Sequence, residues 1–168
     1  FQPQIRAGDG RVVAAEALLR WDHPDGVRLP AHFLRRAEET GQIVQIGAWV
    51  IRTVADTIVR WQRMGLRQRL AINVSARQLD HGHFFRSLRE AMHRVGAAAE
   101  MLELEIAASV AMRASDDVIA ALAALRADGA TIALDDFATG ASNFDQLRRL
   151  PLDRIKLNEG VTRPVVES

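Results

Sequence analysis

The chain has 168 residues, 48% of them hydrophobic and 26% charged, with a net charge of +1. That is enough for one domain with a real core, and the balanced charge argues against a nucleic-acid polymer or a membrane surface as partner. It contains no cysteine, which excludes disulfides and thiolate metal sites, and no apolar run long enough to cross a membrane. The opening Phe1-Gln2-Pro3-Gln4 lacks the pattern of a signal peptide. The expectation is a soluble, cytoplasmic module, alone or as the cytoplasmic part of a larger, membrane-anchored protein.

In chain order, Gln4–Ala7 and Val12–Trp21 flank the turn-forming Gly8-Asp9-Gly10 and predict an antiparallel hairpin. His23-Pro24-Asp25-Gly26 reads as a loop. Pro30 suits the first turn of a helix over Ala31–Glu39, closed by Gly41. Ile46, Trp49, Val50, Val54, Ile58 and Trp61 recur at three- and four-residue intervals, predicting an amphipathic helix over Val44–Met64 with both tryptophans in the core. Leu70–Val74 reads as a short buried strand, Phe84–Val95 as a helix and Met101–Ile106 as a strand. Ser115 caps a helix over Asp116–Ala127, where Asp116 and Asp117 suit the positive end. Thr131–Phe137 is a strand, Asn143–Leu150 a helix stopped by Pro151, and Arg154–Leu157 the last strand. Arg148 and Arg149 read as a solvated helix face. His23 reads as loop structure, and His81, His83 and His93 have no metal spacing with the acidic residues.

About six strands alternating with helices predict a parallel α/β sheet or barrel. Polar residues recur towards the strand ends: Glu16, Asn73, Glu105, the pair Asp135 and Asp136, and Lys156. In a (β/α) barrel such residues converge on the C-terminal face, where catalysis sits. Carboxylates, an amide and an amine together there predict a metal-dependent hydrolytic site. Lys156 is the one lysine among 22 basic residues, and lysine, unlike arginine, loses its proton when its surroundings are tuned.

Glu16-Ala17-Leu18-Leu19-Arg20-Trp21 followed by His23-Pro24 resembles the founding motif of the EAL family, the domains of bacterial cyclic di-GMP phosphodiesterases. The resemblance runs on through Phe1-Gln2-Pro3, Ala37-Glu38-Glu39-Thr40-Gly41, Asn73-Val74-Ser75 with Gln78-Leu79, and Leu102-Glu103-Leu104-Glu105-Ile106. It continues through Asp135-Asp136-Phe137 with Thr139-Gly140 and Ser142, then Leu150-Pro151-Leu152-Asp153-Arg154-Ile155-Lys156. It implies a TIM-like (β/α) barrel of EAL type, opened by an antiparallel hairpin, with its C-terminal part absent from this chain.

The resemblance further implies hydrolysis of cyclic di-GMP to linear pGpG with two divalent cations, Mg²⁺ or Mn²⁺. Glu16, Asn73, Glu105 and Asp135 would hold one ion, and Asp135 with Asp136 the second. Glu16 and Lys156 would be catalytic, Lys156 by orienting or deprotonating the attacking water or by stabilising charge on the phosphorane. Arg20 would pair with a substrate phosphate, and Gln2 and Leu18 would lie against the dinucleotide. Phe137, Ala138, Thr139 and Gly140 would form a regulatory loop coupled to a homodimer interface. Fusion to sensory or diguanylate-cyclase-like domains is implied as well.

The pattern departs from the family at three positions: Ala108 for a glutamate that anchors this loop, Ala138 for a glycine within it, and Asn158 for an aspartate. The sequence therefore leaves a second class open, a catalytically inactive EAL domain serving as a cyclic di-GMP receptor or protein-interaction module.

Overall fold

The structure is a computed structural model, and it describes residues 1–137, 147–158 and 160. Strand β1 (Gln2–Ile5) pairs antiparallel with β2 (Val12–Ala17), as the Gly8-Asp9-Gly10 turn predicts. The ladder of β2 with the next sheet strand ends at Ala17. The expected strand Val12–Trp21 is thus two pieces. Trp21–His23 forms β3, which pairs with β4 (Gly26–Arg28) in a separate two-stranded sheet. His23-Pro24-Asp25-Gly26 is the tight turn of that hairpin, with His23 opposite Gly26, rather than a loop.

A 3₁₀ turn at Pro30–His32 precedes α1 (Leu34–Thr40), so the expected single helix is broken at Phe33. Gly41 closes α1 in the left-handed conformation at φ 79°. Helix α2 (Ile43–Arg63) runs under the sheet, burying Ile51, Val54, Ala55 and Ile58. Trp49 is 51% exposed and corrects the expectation that it lies in the core. It falls on the outer side of the stripe, where Thr53 bonds back to its carbonyl. Trp61 is half-buried and meets Phe1 edge-on, ring centroids 5.9 Å apart.

Strand β5 (Arg69–Val74) is followed by a short helix that the sequence did not predict, α3 (Ala76–Asp80), and by α4 (Phe84–Val95). Then come β6 (Leu102–Ala107), α5 (Ala108–Ala111), α6 (Asp116–Ala127), β7 (Thr131–Phe137) and β8 (Arg154–Leu157). Residues 143–146 of the expected helix Asn143–Leu150 lie outside the described residues. Among the described residues the main sheet has six strands in the order β1-β2-β5-β6-β7-β8, all neighbouring pairs after β1–β2 being parallel.

Strand alternation sorts the side chains onto two faces. Leu70, Ile72, Val74, Leu102, Leu104, Ile106, Ile132 and Leu134 are buried in one core with α2, α4 and α6. The opposite face carries Glu16, Arg69, Asn73, Glu103, Glu105, Asp135, Arg154 and Lys156, spaced by the small Ala14, Ala71 and Ala133. Lys156 Nζ on β8 lies 3.3 Å from Glu16 Oε2 on β2, four strands away. Flat strands at about 4.8 Å spacing would hold them roughly 19 Å apart. The sheet is therefore curled, polar face inward, as a partial TIM-like α/β barrel.

Candidate active site

The inward face gathers Glu16, Asn73, Glu105, Asp135 and Lys156 at the C-terminal half of the five parallel strands. Lys156 Nζ donates to Glu105 Oε2 at 2.7 Å and to Glu16 Oε2 at 3.3 Å, and lies 3.5 Å from Asp135 Oδ1. Asn73 Nδ2 donates to Glu16 Oε1 at 2.6 Å. Gln4, on β1, donates to the second oxygen of Glu105 at 3.2 Å. Gln4 was not among the residues expected from the sequence, although its register opposite Ala14 places it on this face.

Glu105 is fully buried. Burial pushes its carboxyl up to about 7, the charges of Glu16 and Asp135 add to the rise, and the Lys156 hydrogen bond and charge oppose it. Burial works against the Lys156 charge too. The hydrogen bond with Glu105 and the charges of Glu105, Glu16 and Asp135 outweigh it, and Lys156 is held as an ammonium above its ordinary range.

A bulge shapes the end of β7. The β7–β8 register passes from Leu134 opposite Ile155 to Phe137 opposite Leu157, one residue more on β7 than on β8. Asp136 absorbs it at φ 53°, a left-handed conformation that aspartate tolerates better than most residues. As a result Asp135 faces the site while Phe137 returns to the core side. Asp136 accepts from Asn158 Nδ2 at 3.2 Å.

Of the other predicted residues, Gln2 is exposed on β1 opposite Glu16. Leu18 is half-buried just past β2, and Arg20 is exposed with Nη1 on the Leu19 carbonyl at 2.8 Å. Ala138, Thr139 and Gly140 lie outside the described residues. Ala108 begins α5.

Among the described residues no three His, Asp or Glu side chains form a ready-made metal cage. The centre is taken by the Lys156 ammonium. The donor set still fits a divalent cation in its chemistry: three carboxylates and an amide gather around one positive charge, and hard cations take oxygen ligands of this kind.

A second tier lies beneath, toward the N-terminal ends of the strands. Glu103, 1% exposed, accepts from Arg69 Nε at 3.1 Å and lies 3.5 Å from Arg154 Nε. None of these three was expected from the sequence. The signal was the two-residue period: each precedes a site strand position by two or four residues on the same face.

Over residues 1–168 the sequence matches the EAL domain family. The chain belongs to the EAL domain family. This EAL domain is 40% identical over 162 residues to the bifunctional diguanylate cyclase/cyclic di-GMP phosphodiesterase MucR of Pseudomonas aeruginosa, covering 95% of the chain and 24% of the relative. It is 34% identical over 166 residues to the cyclic di-GMP phosphodiesterase PdeR of Escherichia coli, covering 98% of the chain and 25% of that protein. The solved structure of the PaMucR phosphodiesterase in complex with c-di-GMP superposes on 99% of the chain and 68% of its own, with a TM-score of 0.91 at 38% identity. The EAL domain thus spans about a quarter of the length of these curated relatives. No helix among its described residues is long and apolar enough to cross a membrane.

Proposed function

We propose that this EAL domain hydrolyses cyclic di-GMP to linear pGpG. The observation that carries the reading is the convergence of Glu16, Asn73, Glu105 and Asp135 about Lys156 on the inward face of the parallel strands. The names of the relatives supply the substrate class.

Mg²⁺ or Mn²⁺ held by Glu16, Asn73, Glu105 and Asp135, with Asp136 toward a second ion, would supply an acidified water and positive charge against the phosphodiester oxygens. In the net reaction water adds to phosphorus and the P–O3′ bond breaks, leaving a 5′-phosphate and a 3′-hydroxyl. Lys156, whose Nζ lies within 3.5 Å of three of these carboxylates, would orient or deprotonate the attacking water or stabilise charge on the phosphorane. Glu16 orients Asn73 and Lys156 together. Gln2, Leu18 and Arg20 lie at or just beyond the β1–β2 end of the site, where the Arg20 guanidinium would pair with a phosphate. The segment after β7 would carry a homodimer contact to the site, supported by Phe137, which packs on the core at its start. Sensory or cyclase-like neighbours would supply the signal.

One observation favours the receptor reading. The Asn158 amide donates to Asp136, which sets a hydrogen-bond donor where a carboxylate would offer a further ligand oxygen. The deciding assay incubates the protein with cyclic di-GMP and Mn²⁺ and follows pGpG by chromatography. Product is expected, with Glu16→Ala lowering its rate by about a hundred-fold or more. Binding of the dinucleotide without any pGpG would establish the receptor instead.

A further inference from the structure

The ions beneath the site, a buried Glu103 between two part-exposed arginines, take no part in the chemistry above, yet they repeat its geometry. On β8, Arg154 reaches across β7 to Glu103 of β6, and two residues later Lys156 reaches across β7 to Glu105 of β6. The small Ala133, opposite Arg154 on the intervening strand, leaves room for the lower reach. Strand β8 is four residues long, and its register with β7 slips beside Lys156, between Ile155 opposite Leu134 and Leu157 opposite Phe137. Asp153 clasps Ile132 of β7 just before Arg154, its N donating to Ile132 O at 2.9 Å and its Oδ2 accepting from Ile132 N at 3.0 Å, so the ladder is interrupted only about the one residue that must face three carboxylates. A slip of one residue would turn Lys156 to the opposite face.

We infer that the Arg154–Glu103 pair is a register pin that sets β8 so that Lys156 meets Glu105 and Glu16. Arg69 of β5 meets Glu103 from the other side, which steadies the tier without setting β8. Arg154 and Glu103 are positioning residues, and their effect on turnover, though not on Lys156 itself, rests on the phosphodiesterase reading.

Lys156 is the only lysine of the chain, so [¹³C]lysine labelling gives a single Cε–Hε correlation by NMR. In the unaltered chain this signal is expected away from the position of free lysine, and Glu105→Gln calibrates it. Arg154→Gln and Glu103→Asp should each move it most of the way to the free position in a chain that still melts cooperatively. Arg69→Gln, which removes a partner of Glu103 without touching β8, should lower the melting temperature and leave the signal in place. In the enzyme assay Arg154→Gln should lower kcat about ten-fold or more at unchanged KM, as a lost positioning contact does. An unmoved signal in Arg154→Gln or in Glu103→Asp, or an equal movement in Arg69→Gln, overturns the pin. Should one of the first two variants fail to fold, the other decides. Absence of pGpG from the unaltered protein would overturn the proposed activity and leave the outcome of the NMR test unaffected.

Discussion

At the scale of single residues the site is a balance of burial against charge. Glu105 is completely buried, and its carboxyl rises to about 7 because burial outweighs what Lys156 returns. The folded chain then holds a proton there more tightly than the unfolded chain between pH 4.5 and 7. Stability accordingly falls as pH rises through that window, by on the order of 3 kcal/mol. Lys156 shifts the same way, so its stabilising contribution is complete throughout the window and is lost only far into alkali. Urea unfolding at pH 5 and pH 7.5, in a chelator, is expected to show the fall in the unaltered chain and a flatter profile in Glu105→Gln. Parallel profiles would mean that some other group carries the pH dependence. The acidic residues and Lys156 were legible in the sequence because each sits on a short apolar run with family neighbours. Gln4 was not, since nothing in its own strand shows that β1 curls round to reach Glu105 of β6.

At the scale of elements, close approach decides what propensity cannot. Gly47 lies inside α2, where alanine would ordinarily stabilise by about 1 kcal/mol. A Cβ there would overlap Nε2 of Gln78 and stand 3.0 Å from its Cδ. Gln78 cannot easily retreat: it is buried, and its Oε1 accepts from Ser75 N at 3.0 Å and Ser75 Oγ at 2.9 Å in the capping box of α3. Gly47→Ala is therefore expected to destabilise by about 1–3 kcal/mol in chemical denaturation. In a Gln78→Ala background the same change should become neutral or stabilising, and a purely additive double-mutant cycle would contradict the contact. The helical stripe of α2 was legible, but its angular width was not, which is why Trp49 falls outside it. Likewise Ser75 and Gln78 stand three apart, the spacing of a capping box, and went unread because α3 is only five residues long.

At the scale of the whole molecule, curling brings the side chains of Glu16 on β2 and Lys156 on β8 within hydrogen-bonding distance, so the site exists only when the sheet is complete from one to the other. Anything that binds this assembled face stabilises the fold through mass action. If Glu16, Asn73, Glu105 and Asp135 hold a cation, Mn²⁺ at a hundred times its dissociation constant adds about 2.7 kcal/mol, a rise of several degrees in melting temperature. Differential scanning fluorimetry reads this directly. No rise up to millimolar Mn²⁺, or an equal rise in Glu16→Ala with Asp135→Ala, would count against these ligands.

The alternation of strands and helices, the family and the run of acidic residues with Lys156 could be read directly from the chain. These are written in local periodicity and in short motifs, which need no distant contact to be read. Long-range packing settled where β2 stops, which face Trp49 takes, and that Gln4 on β1 reaches Glu105 while Arg154 on β8 reaches Glu103. Those outcomes depend on the pairing register and on the curl of six strands. Both are set by contacts between residues as far apart as Glu16 and Lys156, which no local window of the chain contains.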